Sequence, residues 1–351
     1  MVKQSLSLSA SPQRIVVRMP NWLGDFVMAT PILTDLRHHW PAAKITALCQ
    51  GTLGTVIQED PHVDEIIIFN RPKGYLNRIV NREGVSALQK GNFDLGILLT
   101  NSLSSAYLFW RGNVQHRLGY ATHARSLLLN HPIPFPEHRK TQHLVNTYKM
   151  LLEPIGIPVS LTSPRLYIQP KAQLTATSKL AQIGVQSSDL VIGMNPGAAY
   201  GSAKCWLPER FTQLCNDLLV KPNIKILFFG DKTGASLVSH ICSLLPADRV
   251  FNLAGTTTLP ELFAFIQNCH LFLTNDSGPM HAASALGIPL IALFGSTSDT
   301  ATGPYGGGKI IHKHVPCSPC YRRECPIDFR CMTRIGVQEV YEEIQKMIET
   351  Y

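Results

Sequence analysis

Short apolar runs alternate along this chain with amphipathic stretches, and the series is run through twice. Residues 14–18 (RIVVR) read as a buried strand, followed by a loop over 19–24 and a helix over 25–39. Strand 45–49, helix 52–59 and strand 64–69 come next, then a basic helix over 75–90 and strand 93–100. Strands that alternate with helices build right-handed βαβ units and a mostly parallel sheet. The pattern blurs between residues 103 and 136.

Residues 154–170 hold four prolines and two strand-like pieces, which marks them as the connection between two domains. The alternation restarts with strand 190–194, and Pro208 suits the first turn of a helix. Strands 224–229, 249–253, 271–275 and 288–294 follow, separated by helices 235–245, 259–268 and 279–286. The expected division is a first domain over 1–165, a second over 166–335 and an amphipathic terminal helix within 336–351. A length of 351 residues agrees with it, since about 150 residues per domain is usual. The chain is 45% hydrophobic and 16% charged, which excludes a disordered class. No run reaches the roughly 18–20 apolar residues of a membrane-spanning helix. The opening MVKQSLSLSA has no apolar h-region, so the expectation is a cytoplasmic chain with its nine cysteines reduced.

Three loops carry residues suited to chemistry. Asn275-Asp276-Ser277-Gly278-Pro279-Met280-His281 lies between a strand and a helix. Ligands of open α/β sheets bind at the carboxyl ends of strands, and a helix N-terminus suits a diphosphate. Asp276 or Ser277 acting only as a helix cap is the plainer alternative. A second loop, residues 196–204, is built of small residues and ends in Lys204, a point charge able to neutralise phosphate. It lacks Walker A spacing, and no G-x-G-x-x-G sits between a strand and a helix. The third is Pro20-Asn21-Trp22-Leu23-Gly24-Asp25, where the acid sits at a helix start. Asp25 is able to take a proton from an attacking hydroxyl or merely to cap the helix.

The net charge is +8, which favours an anionic partner. Arg111, Arg117, Arg125, Arg139 and Lys140 fall in one stretch with a single acid, Glu137. The stretch suits either an anionic docking face or a solvated surface, and no nucleic-acid-binding module is recognisable. Cys317, Cys320, Cys325 and Cys331 are spaced C-x2-C-x4-C-x5-C. A structural zinc, packed thiols and an adventitious disulfide all stay open, because the paired C-x-x-C form is missing.

The segments PNWLGDFVMATPIL, TNSLSSAYLFW, RLGY, NPGAAYGSAKCWLPERF, LAGTTTLPEL and TNDSGPMHAASALGIPLIALFGSTS span residues 15 to about 300. Together and in this order they resemble glycosyltransferase family 9, the bacterial ADP-heptose:lipopolysaccharide heptosyltransferases, and within it the branch that adds a second heptose. The resemblance implies the α/β GT-B fold, two Rossmann-like domains with parallel sheets facing a central cleft. The first domain would bind acceptor and the second the ADP-sugar. It implies inverting transfer of L-glycero-D-manno-heptose from ADP-heptose to the first heptose of the inner core on Kdo-lipid A. No metal or other cofactor is implied, and no DxD-like motif is present in a suitable loop.

By the same resemblance Asp25 is the general base and Lys204 meets the donor phosphates. Asp276, Ser277, Gly278 and His281 form the donor turn, Asp231 faces the ribose and Thr256 lines the nucleotide pocket. Asn101, Ser102 and Arg117 are on the acceptor side. Pro279 stands where leucine is more usual and Cys205 where arginine is common. The implied partners are ADP-heptose, the heptosyl-Kdo2-lipid A acceptor and the inner face of the cytoplasmic membrane, with no nucleic acid. A transferase of the first heptose, or one with another acceptor, shares the donor motifs. A non-catalytic nucleotide-sugar or nucleic-acid binder is the reading of another class, and a nicotinamide oxidoreductase is disfavoured by the missing fingerprint.

Overall fold

The computed structural model describes residues 11–70, 74, 81–137 and 141–349. The chain divides into two compact units, Met1–Tyr167 and Ile168–Tyr351.

The first unit is built on β1 (Arg14–Arg18), β2 (Lys44–Gln50), β3 (Glu65–Phe69), β4 (Leu95–Leu98), β5 (His116–Tyr120) and β6 (His131–Ile133). They form one parallel sheet in the order β3-β2-β1-β4-β5-β6. The central strand β1 is buried beyond its first residue, as expected of a parallel strand covered on both faces. Arg18 at its end pairs with Leu48 on one side and Leu98 on the other.

The second unit repeats the plan with β7 (Leu190–Asn195), β8 (Ile224–Phe228), β9 (Val250–Asn252), β10 (Leu271–Asn275), β11 (Leu290–Phe294) and β12 (Lys309–His312). Their parallel order is β12-β11-β10-β7-β8-β9. Both sheets therefore have the Rossmann order, which reverses direction between β1 and β4 and between β7 and β10. Crevices open outside the carboxyl ends of strands at such reversals, so loops 19–25, 99–102, 196–204 and 276–281 occupy the favoured places.

The terminal helix Val337–Ile348 belongs with the second unit. It buries Val340, Ile344 and Ile348 in the same core as Phe211 and Leu214 of helix Pro208–Leu218.

Several expectations need adjusting. The helix expected over 25–39 is two helices, Leu23–Met28 and Pro31–His39, since Pro31 has no N–H and begins a new helix. The segment 103–136 holds helix Leu103–Arg111, β5 and β6, and Leu144–Met150 adds a helix that escaped the reading. The strand-like pieces within 154–170 enter neither sheet and run as irregular connection, with Ser160 and Thr162 donating to Asp35. Of the basic helix expected over 75–90, Arg82–Gly91 is helical and residues 75–80 lie outside the described residues. Among the described residues no helix is long and apolar enough to cross a membrane.

Candidate active site

Two asparagines join the loops at the reversal point of the second sheet. Asn195 ends β7, and its Nδ2 donates to Gly197 O at 2.9 Å and to Ser277 Oγ at 3.1 Å. Asn275 ends β10, accepts from Trp206 N–H at 3.0 Å and donates to Pro196 O at 2.7 Å. Each strand end thus holds the loop that leaves the other. Both side chains are buried, where an unmade hydrogen bond is costly.

These loops bring Lys204 and Asp276 together. Asp276 Oδ2 accepts from Lys204 Nζ at 2.5 Å and from Thr297 Oγ1 at 2.5 Å. Lys204 also lies 4.8 Å from the ring centroid of Tyr200, and the Arg323 guanidinium stacks on the same ring at 5.4 Å. Tyr200 Oη donates to Tyr321 O, and Ala203 N–H donates to Arg323 O. A side chain at Gly201 would strike the carbonyl of Arg323, so only glycine admits this approach. Thr297, Tyr321 and Arg323 are contributors that the sequence reading missed.

Ser277 occupies the N-cap position of helix Gly278–Ala285 but makes no side-chain cap. Its hydroxyl is engaged by Asn195 and by Thr274 Oγ, 3.0 Å away, so the capping alternative does not hold. Pro279 has no N–H, which leaves Gly278 and Met280 as first-turn donors. His281 is buried one turn into the helix. Cys205 is half-buried, and burial pushes its thiol up to about 11.

Asp231 and Thr256 follow β8 and β9. Asp231 Oδ1 accepts from Gly234 N–H at 2.8 Å and Thr233 Oγ1 at 2.7 Å, so that oxygen shapes a turn. Thr256 Oγ1 donates to Leu253 O at 2.9 Å. The two turns are linked by Gly255 N–H donating to Gly230 O at 2.9 Å.

In the first unit, Arg18 ends β1 buried, with its guanidinium over the Phe69 ring at 4.6 Å and Nη2 donating to Asn21 Oδ1 at 2.6 Å. The arginine holds the 19–25 loop from beneath. Trp22 is the N-cap residue of the helix Leu23–Met28, exposed and without a side-chain cap bond. Asp25 lies in the first turn, half-buried, rather than at the cap. A carboxylate there is favoured by the helix dipole. Burial, together with the Asp25 carboxylate and Tyr120, pushes the Tyr148 phenol well above its ordinary range.

The residues expected on the acceptor side do not all come together. Ser102 is the N-cap of helix Leu103–Arg111, its hydroxyl accepting from Ser105 N–H at 3.2 Å. Asn101 Oδ1 accepts from Nη1 of Arg125 at 3.1 Å. Arg117 does not join them. It lies near the amino end of β5 and spends its guanidinium on the carbonyls of Leu128, Val114 and Gln115. Arg125 takes the central place instead. It is fully buried, also donates to Thr100 O at 2.6 Å, and leaves Nε and Nη2 without a partner. Burial lowers its guanidinium to about 10. Arg139 and Lys140 lie outside the described residues.

Cys317 and Cys320 are exposed, Cys325 is half-buried and Cys331 is buried. Among the described residues, the groups whose ligand atoms come within 4.8 Å of one another include no three of these thiols. Cys331 lies against Gly295, just past β11, and burial together with the nearby Cys325, Cys317 and Cys320 raises its thiol.

Comparison with known proteins adds an independent line. The family profile "Glycosyltransferase family 9 (heptosyltransferase)" matches residues 83–329. The chain is 28% identical to a lipooligosaccharide heptosyltransferase 2 of Campylobacter jejuni, over 95% of this chain and 99% of that protein. A glycosyl transferase family 9 structure from Veillonella parvula superposes with TM-score 0.88 at 26% identity, covering 97% of this chain and 98% of that one. The structure of Escherichia coli ADP-heptose lps heptosyltransferase II gives TM-score 0.82 at 25% identity, covering 96% and 99%.

Proposed function

The chain belongs to glycosyltransferase family 9, the heptosyltransferases, and from that premise we propose that it moves L-glycero-D-manno-heptose from ADP-heptose onto the first heptose of a lipopolysaccharide inner core. Its two Rossmann-order units are the GT-B fold of the matching structures. The observation that carries the donor half is the meeting of Lys204, Asp276 and an uncapped helix start at the reversal point of the second sheet.

In this reading the donor diphosphate lies against the N–H groups of Gly278 and Met280 and draws on the Lys204 charge. Asp276 and Thr297 hold the lysine in place beforehand, so little reorganisation is needed as charge gathers on departing ADP. Asp25, supplied by the first unit, takes the proton of the acceptor hydroxyl as its oxygen attacks the anomeric carbon. The bond to the β-phosphate oxygen breaks on the opposite face, and the configuration inverts. The proton ends on Asp25 and the electron pair on ADP. Neutralisation by lysine and backbone dipoles calls on no divalent cation.

Asp231 and Thr256 stand at the next two strand ends for the ribose and base. Asn101 borders the acceptor, with Arg125 as a positioning residue that fixes the turn after β4. The acceptor carries Kdo carboxylates at a membrane surface, which suits a chain of net charge +8 binding peripherally from the cytoplasmic side.

The test is an acceptor comparison. The protein is incubated with ADP-heptose and either Kdo2-lipid A or its mono-heptosylated form, and products are read by mass. Heptose added only to the mono-heptosylated acceptor supports the proposal. Addition to bare Kdo2-lipid A assigns the first transfer instead, and transfer to neither overturns the acceptor assignment.

A further inference from the structure

We propose that Asp299, His312 and His314 form a binding site for a divalent cation of the zinc class at the carboxyl edge of the second sheet. Asp299 opens the short helix Asp299–Thr302 after β11, His312 ends β12, and His314 follows in the next turn. Asp299 Oδ2 stands 3.3 Å from His312 Nδ1 and 3.5 Å from His314 Nε2, and the three atoms lie within 4.8 Å of one another. Ligand atoms bound at 2.0–2.1 Å to a tetrahedral zinc ion are separated by about 3.3–3.4 Å. Two imidazoles and one carboxylate, with water in a fourth position, are a donor set known for zinc.

The hydrogen-bond geometry of His312 points the same way. The His312 side chain is 2% exposed, and its Nδ1 has no hydrogen-bond partner. Its Nε2 lies 2.9 Å from Ser318 Oγ, and that hydroxyl donates its only hydrogen to Gly295 O at 2.5 Å. Ser318 therefore accepts from His312 Nε2, which turns Nδ1 toward Asp299. Nδ1 stands 3.3 Å from Asp299 Oδ2, close to the separation of two ligand atoms on one ion. Ser318 is also the kind of outer partner that fixes a ligating imidazole by its second nitrogen.

The rings of His312 and His314 lie 4.0 Å apart at their centroids, and the His314 side chain is 68% exposed. That exposure leaves water access to a fourth coordination position. A cation here ties the end of β12 to the helix after β11. The same segment continues through Ser318 to Tyr321 and Arg323, which brace the Lys204 loop. The inferred role is structural, and it stands independently of the heptosyl-transfer reading.

The test is titration of chelator-treated, full-length protein with Co2+ followed by absorption. About one equivalent should bind with visible d–d bands of a nitrogen–oxygen site and no thiolate charge-transfer band. His314→Ala changes an exposed residue and should weaken binding by about tenfold or more while leaving metal-free circular dichroism unchanged. His312→Gln should abolish binding. Zn2+ should raise the melting temperature of the parent protein and not that of His314→Ala. Failure to bind Co2+, binding undiminished in His314→Ala, or a thiolate band that places the ion on Cys317–Cys331 would each overturn the site.

Discussion

Lys204 Nζ and Asp276 Oδ2 lie 2.5 Å apart, joined across the reversal point of the second sheet by loops that leave β7 and β10. Their side chains are 12% and 4% exposed, so the pair is held with little water around it. A lysine kept in this way is fixed in place beforehand for the diphosphate contact proposed for it.

Lys204→Ala should raise the ADP-heptose dissociation constant by about tenfold or more, since a charge-assisted contact to phosphate is lost. Titration calorimetry reads it directly. The variant also strands the Asp276 carboxylate, and breaking a buried pair costs about 3–5 kcal/mol. Lys204→Arg keeps the charge and separates the binding effect from that loss of stability. An unchanged donor affinity in both variants would remove Lys204 from the phosphate site.

Asp25→Asn should lower turnover by about 10²–10⁴-fold, the usual contribution of a positioned base. The affinity for ADP-heptose should hold, because the donor groups belong to the other unit. A transfer rate equal to that of the parent would sink the proposed base.

Asn275→Ala leaves the Trp206 N–H and the Pro196 carbonyl without partners in a buried place. Each stranded group costs about 1–3 kcal/mol, so urea unfolding should show a clear fall in midpoint. If the midpoint does not move, Asn275 is not what joins the two loops.

Glu261 provides a pH-dependent element. It completes a capping box with Thr258 at the start of helix Leu259–Gln267. The Thr258 N–H and hydroxyl hold its carboxyl below the ordinary value of 4.5. The folded chain thus binds this proton less readily than the unfolded chain. Its stabilisation is complete above the unfolded value and is lost as pH falls through the lower folded value. Glu261→Gln should be less stable than the parent at neutral pH, with the gap closing in acid. A gap independent of pH, measured by denaturation across that range, would contradict this assignment.

Chelation should leave the rate of heptosyl transfer unchanged at saturating donor and below the melting temperature. A loss of turnover that returns with added divalent cation would show that lysine and backbone dipoles do not suffice for departing ADP.

The strand-to-helix turn proposed to meet the donor was legible because its signals are local. A strand ending in Asn275, then acid, small residue and helix, announces itself within a few positions. The same holds for the loop ending in Lys204. The choice between Arg117 and Arg125 was not local. Both lie in one basic stretch, and what separates them is Gly119, where an added Cβ would stand 2.8 Å from Arg125 Nη2. A glycine inside a strand marks a close approach, and that was the available signal. Thr297 and Arg323 were hidden for a different reason. Thr297 meets Asp276, and Arg323 meets the Lys204 loop, only after β11 and the segment beyond β12 are in place. The break at Pro31 was readable from proline chemistry alone, yet the apolar period runs on through it and masks the joint.

Gly201 is packed beneath the carbonyl of Arg323, a residue made long after it during synthesis. Chains emerge and fold from the amino end, so the strands β7 to β11 are available for pairing before that carbonyl exists outside the ribosome. Asn275 and Asp276 already hold part of the loop bearing Lys204 during this interval, but the carbonyl that accepts from Ala203 N–H is missing. That last brace arrives only when the carboxyl-terminal segment emerges. A nascent chain stopped short of residue 323 would then display a folded sheet whose Lys204 loop lacks its outer brace from Arg323.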